Sequence, residues 1–211
     1  MGDETILEWI CKKLMAEHRA HTILLYGSRA DGSAGKDSDY DLAAFGPINT
    51  PFRIARLVKG EYLDVWAYPE AELQREANVG HLRLRGSQIV QQRGSEAEAF
   101  LCRIEDYFLR GPEPLPAGEA EARKVWAYKT LARAARGDPE GNYRRLELIQ
   151  VLLENYFHVR GQWFQGPKKS LRWLEQFDPP AFRSFCMALQ PNASNQAIAS
   201  LVHLMVGEAD A

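Results

Sequence analysis

Between Thr22 and Phe45 two short apolar runs are joined by a glycine-rich polar loop that closes on Ser38-Asp39-Tyr40-Asp41. The first run, Thr22 to Tyr26, ends at a Gly27-Ser28 corner. The second opens at Tyr40 and continues to Phe45. In an extended strand, residues two apart share a face, so Asp39 and Asp41 project together while Tyr40 and Leu42 face the opposite way, into a core. Two like charges side by side repel, and a cation between them removes the penalty. Oxygen-only donors favour a hard ion such as Mg²⁺, which keeps positions for water and phosphate. Gly27 allows a ligand close to the backbone, and Ser28 is expected to open a helix whose free N–H groups attract phosphate. Phosphate donors followed eleven residues later by a carboxylate pair describe a nucleoside-triphosphate site.

Downstream, Tyr62 to Tyr68 is rich in aromatic and β-branched residues and reads as a third strand. Alternation sets Tyr62, Asp64 and Trp66 on one face, with Leu63 and Val65 on the other. An aspartate in the middle of an apolar strand is costly unless hydrogen-bonded, charge-paired or metal-bound, which marks Asp64. Helical spacing of Ile6, Leu7, Ile10 and Leu14 predicts a first helix from Glu4 to about His18, capped by Asp3 or Thr5. The same spacing in Ile54, Leu57 and Val58 predicts a short helix, and Pro69 to about Asn78 reads as another. Ile89-Val90 fits a fourth strand, and Glu96 to Leu109 a helix. Arg83 and Arg85 are candidates for contact with triphosphate.

The segment 111–118 contains three prolines and two glycines and predicts a stiff connector. It divides the chain into domains of 1–110 and 119–211. Helices are expected over Glu119–Arg136, Asn142–Arg160, Lys168–Phe177, Ala181–Leu189 and Asn195–Val206. The fold class is therefore α+β: a small mixed β-sheet domain with flanking helices, then an α-helical bundle. Total charge is −2, so no global field recruits nucleic acid or an anionic surface. No apolar run approaches the roughly 20 residues that span a bilayer, and the acidic N-terminus lacks the basic start of a signal peptide. Cys11, Cys102 and Cys186 lie far apart and predict reduced, buried thiols in the cytoplasm.

The ordered string of strand, Gly-Ser corner, loop, Ser-Asp-x-Asp and strand resembles the signature of the DNA polymerase beta-like nucleotidyltransferase superfamily. The helical second half, with its Tyr156-to-Lys169 string, is similar in flavour to the kanamycin- and lincosamide-type antibiotic nucleotidyltransferases. The resemblance implies Mg²⁺-dependent transfer of a nucleoside monophosphate from a nucleoside triphosphate to an acceptor hydroxyl, in a cleft between the two domains. It assigns Asp39, Asp41 and Asp64 to metal, Asp64 matching the carboxylate of the neighbouring strand. Gly27 and Ser28 then cradle phosphates, with Arg29 or Lys36 neutralising the leaving pyrophosphate. It also implies a helical-domain carboxylate as general base. Glu154 is the choice, and Glu147 and Glu121 stay open.

The acceptor expected from the resemblance is a small molecule such as an antibiotic. Residues 111–211 carry 12 basic and 11 acidic side chains, a weak match to a polycation. Arg123, Lys124, Lys129, Arg133 and Arg136 crowd one helix, so transfer onto tRNA or protein, as by a toxin, is the alternative. A non-catalytic nucleotide-binding module is the third reading. Nucleic acid enters only as acceptor, and neither the preferred base nor the oligomeric state is readable.

Overall fold

The structure, a computed structural model, describes residues 5–206. The chain divides into two compact units, Met1–Arg110 and Gly111–Ala211.

The first unit is built on a five-stranded sheet. Its strands are β1 (Thr22–Tyr26), β2 (Tyr40–Gly46), β3 (Phe52–Val58), β4 (Glu61–Pro69) and β5 (Gln88–Gln91). Their spatial order is β3-β4-β2-β1-β5. β2 and β4 run parallel, and every other pairing is antiparallel. Both faces are apolar because β1 and β2 are covered on both sides and alternation sends neighbours to opposite cores. Helix α1 (Ile6–His18) sets Ile10 and Leu14 against Ile23, Leu25, Leu42 and Val65. Helix α2 (Glu96–Leu109) sets Phe100 and Ile104 against Leu24, Ala43 and Phe45 on the other face. Thr5 caps α1 in a reciprocal capping box with Glu8, which satisfies two of the orphan N-terminal donors. Asp3, the other candidate cap, lies outside the described residues.

Three local expectations are corrected. The segment around Ile54 is not a helix but the edge strand β3, paired antiparallel to β4 with Ala55 opposite Asp64. Ile54, Leu57 and Val58 satisfy helical spacing, but the unpaired edge of β4 offers a full ladder of backbone partners, and those hydrogen bonds decide the outcome. The stretch after Pro69 forms only a 3-10 segment, Glu70–Gln74. Ser28 lies in a single 3-10 turn, Gly27–Arg29, rather than at the start of a longer helix. The predicted strand at Ile89-Val90 is present as β5, on the free side of β1.

The second unit comprises α3 (Glu119–Ala134), α4 (Pro139–His158), α5 (Gly166–Phe177), α6 (Pro179–Ala188) and α7 (Asn195–Val206). Asp138 caps α4 and Asp178 caps α6, each with a proline in the first helical turn. Leu148, Leu152, Leu174, Phe185 and Leu201 are fully buried and form the centre of its core. α4 is the central element, since Leu148, Ile149, Leu152, Leu153, Tyr156 and Phe157 are all buried. The Tyr156 hydroxyl donates to Asp178 at 2.7 Å and so fixes the start of α6 against α4. All three cysteines are free. Cys11 is buried and Cys186 half-buried, while Cys102 is exposed, against the expectation of three buried thiols. Among the described residues no helix is long and apolar enough to cross a membrane.

Candidate active site

The parallel register of β2 and β4 places Asp41 directly opposite Asp64, and the antiparallel register of β1 and β2 places Tyr26 opposite Asp41. These side chains share the face that carries Ala43, Phe45 and Tyr68 farther along the sheet. Asp39 stands exposed just before β2, within electrostatic reach of Asp41. The fold thus sets Asp41 and Asp64 side by side on one sheet face, with Asp39 just before the same end of β2.

The three are not equivalent. Asp41 is half-buried, and desolvation, reinforced by the charges of Asp39 and Asp64, pushes its carboxyl up to about 6. Asp64 is held from the edge strand: Arg53 donates from Nε to Oδ1 and from Nη2 to Oδ2, both at 2.7 Å. Arg53 also stands 5.8 Å from the Trp66 ring centroid. Sequence reasoning missed Arg53 because it read this segment as helix. As a strand, the alternation of Arg53 and Ala55 would have put the guanidinium on Asp64's face.

Gly27 is pressed against this cluster. Its φ is +72°, and a Cβ there would lie 2.3 Å from Asp41 Oδ2. Only glycine meets both demands. The loop leading to Asp39 is braced by Arg29, whose Nε donates to the carbonyls of Ser38 (3.0 Å) and Asp39 (3.1 Å). Its Nη2 reaches the Ser38 carbonyl and Glu61, each at 2.6 Å, and the guanidinium stacks over Tyr40 at 3.9 Å. Arg29 is therefore engaged within the protein, and Lys36 is exposed in the loop. Arg83 lies over Trp66 and bonds the Tyr68 hydroxyl, whereas Arg85 is paired with Glu105.

The oxygen donors suit a hard divalent cation, and relief of the repulsion on Asp41 is what such an ion supplies. Asp39 and Asp41 are the pair that fits. Among the described residues, no group of three or more His, Cys, Asp or Glu side chains is arranged to hold a metal ion, and Arg53 occupies both oxygens of Asp64.

In the helical unit, Glu154 lines a groove of about 420 Å³ between α3 and α4 with Arg123, Trp126, Asn155 and His158. Arg123 donates to the Glu119 carboxylate (2.7 Å) and to the side-chain Oδ1 of Asn155 (2.8 Å). Burial, helped by the charge of Arg123, lowers the pKa of His158 and favours its neutral form. Of the other base candidates, Glu147 is paired with Arg144 at 2.7 Å, and Glu121 lines a separate groove beside Lys124.

Residues 7–97 match the family model described as nucleotidyltransferase domain, a span that covers the whole sheet and the start of α2. The match supports generic nucleotidyl transfer by the first unit. Among solved structures, a nucleotidyltransferase-like protein from Exiguobacterium sibiricum 255-15 is similar at 12% sequence identity with a TM-score of 0.40. That similarity covers 95% of this chain and 77% of that one. No curated protein matches the chain.

The raised pKa of Asp41 predicts a pH-dependent stability. A folded-state value above the ordinary 3.8 means that the folded protein holds the proton more tightly than the unfolded chain. The resulting stabilisation is present at low pH and is lost as pH climbs through about 6. In metal-free buffer, Asp41→Asn should melt close to wild type near pH 4 and higher than wild type above pH 7, by on the order of 2–4 °C. Thermal melts across this range in EDTA check it, and a pH-independent difference would contradict the raised pKa of Asp41.

Proposed function

We propose that the protein is a Mg²⁺-dependent nucleotidyltransferase that moves a nucleoside monophosphate from a nucleoside triphosphate to an acceptor hydroxyl. The acceptor oxygen bonds to the α-phosphorus, the bond to the bridging oxygen breaks, and pyrophosphate leaves with that electron pair. The observation that carries this reading is the Asp41–Asp64 register beside Gly27, inside the span similar to nucleotidyltransferase domains.

Asp39 and Asp41 would hold the metal, and Asp64 would join them for a second ion. When bound, such ions neutralise phosphate charge and lower the pKa of an acceptor oxygen. Gly27 and Ser28 give phosphate oxygens a close backbone approach, and Lys36 can meet the charge growing on the leaving pyrophosphate. Arg29, as the brace of the Asp39 loop, keeps the metal pair in place rather than reaching outward. Glu154 would take the acceptor's proton. It sits on a rigid helix one turn before His158 and has no cation bonded to it among the described residues, in contrast to Glu147. A small-molecule acceptor fits a groove of that size better than a macromolecule does. Transfer onto tRNA or protein leans on the basic stripe of α3, but Arg123 and Arg136 already hold carboxylates of their own unit. Cytoplasmic residence agrees with the three free thiols.

The direct test is pyrophosphate release from each labelled nucleoside triphosphate with Mg²⁺ over a panel of hydroxylated small molecules, tRNA and protein. Wild-type protein should turn over, and Asp39→Asn or Asp41→Asn should abolish transfer while the circular dichroism spectrum stays native. Full metal-dependent activity in either variant would sink the assignment. For the base, Glu154→Gln keeps size and hydrogen-bonding shape but cannot accept a proton. It should lower kcat by roughly 10²–10⁴ with nucleotide affinity unchanged. Unaltered kcat would move the role to Glu121 or Glu147.

A further inference from the structure

We propose that Arg53 is an exchangeable counter-ion for Asp64: its guanidinium fills the carboxylate that a second divalent cation would bind, and so sets the order in which the acidic site is loaded. The inference rests on the nucleotidyl-transfer reading above and concerns the regulation of that same site.

The geometry of the pair argues for exchange. Both oxygens of Asp64 are taken in a fork-to-fork contact, so neither can serve as a metal ligand while Arg53 stays. Asp41, one strand over in register, has no hydrogen bond or ion pair on its carboxylate among the described residues. A first cation therefore meets two open carboxylates and one closed one. The partners also differ in freedom. The Asp64 side chain is 18% exposed and fixed in the inner strand β4, whereas that of Arg53 is 53% exposed on the edge strand β3. The guanidinium can leave for solvent without opening either core: beyond Asp64 it stands 5.8 Å from the Trp66 ring and feels the charge of Asp41 through space. Arg83, the other cation above that ring, points to the Tyr68 hydroxyl and does not take over.

A half-exposed ion pair is weak, so closure is a bias rather than a block. The apparent metal affinity at Asp64 is its intrinsic affinity multiplied by the fraction of time Arg53 is away. A purely structural role for Arg53, neutralising a partly buried carboxylate, makes a different prediction, because Asp64 would then never exchange partners.

Mn²⁺ titration of the metal-free full-length chain, followed by the electron paramagnetic resonance of free Mn²⁺, separates the two without nucleotide or turnover. Wild type should bind one Mn²⁺ that disappears in Asp39→Asn, plus a weaker second ion. Arg53→Gln should tighten that second ion by about two- to fivefold. Adding Asp64→Asn to Arg53→Gln should abolish it. Arg53→Lys, which keeps the charge without the fork, should fall between wild type and Arg53→Gln and serves if the glutamine variant melts early. Superimposable titrations for wild type and Arg53→Gln, or a second ion that survives Asp64→Asn, would overturn the exchange while leaving the first metal in place. Wild type with no Mn²⁺ dependent on Asp39 would overturn the metal-dependent reading itself.

Discussion

The register that sets Asp41 of β2 against Asp64 of β4 is the constraint on which the first unit depends. Two carboxylates on adjacent strands oppose sheet formation, and Asp39 adds a third charge. What holds the strands together is the apolar ladder around them. Leu42, Ala43, Ala44, Phe45, Val65 and Ala67 are all fully buried, with α1 covering one face and α2 the other. The repulsion is met in two ways. Asp41, desolvated by burial and then repelled by its neighbours, takes up its proton more readily, and Asp64 is neutralised from the edge strand by Arg53. On the metal-dependent reading proposed above, a cation would relieve this acidic end, and the remainder of the sheet keeps it folded without one.

Much of this was legible in the sequence because the informative residues are adjacent in the chain. The Gly27-Ser28 corner, the alternation of Asp39 and Asp41 and the lone Asp64 in a β-branched run each carry their meaning locally. The helices of the second unit were likewise legible from their apolar spacing, although α4 and α6 start at Pro139 and Pro179, earlier than the expected Asn142 and Ala181, because Asp138 and Asp178 cap them. What escaped was the edge. In β3 the apolar positions Ile54, Leu57 and Val58 fit a helical period, and Leu57 is 61% exposed, so no clean alternation remained to reveal a strand. Losing β3 meant losing Arg53, whose role depends on a pairing partner that its own neighbours in sequence do not indicate. Arg29 illustrates the converse. Its place beside Gly-Ser suggested phosphate contact, but the carbonyls of Ser38 and Asp39 and the carboxylate of Glu61, all brought close by folding, claim it instead.

In the second unit the groove proposed to hold the acceptor is lined in part by α4, the helix with the longest buried stripe. Burial of Leu152, Leu153, Tyr156 and Phe157 immobilises its backbone and so fixes Glu154, Asn155 and His158 at the groove. The Arg123 fork, tied to Glu119 and Asn155, gives that groove a defined polar wall rather than a set of freely moving side chains.

The most direct measurement of the central claim is a crystal of the full chain grown with Mn²⁺ and a non-hydrolysable nucleoside triphosphate, mapped by anomalous scattering at the manganese edge. The account predicts an anomalous peak bound by the carboxylates of Asp39 and Asp41, with the triphosphate beside the Gly27-Ser28 backbone. A triphosphate bound elsewhere, or manganese with no contact to either aspartate, would contradict it.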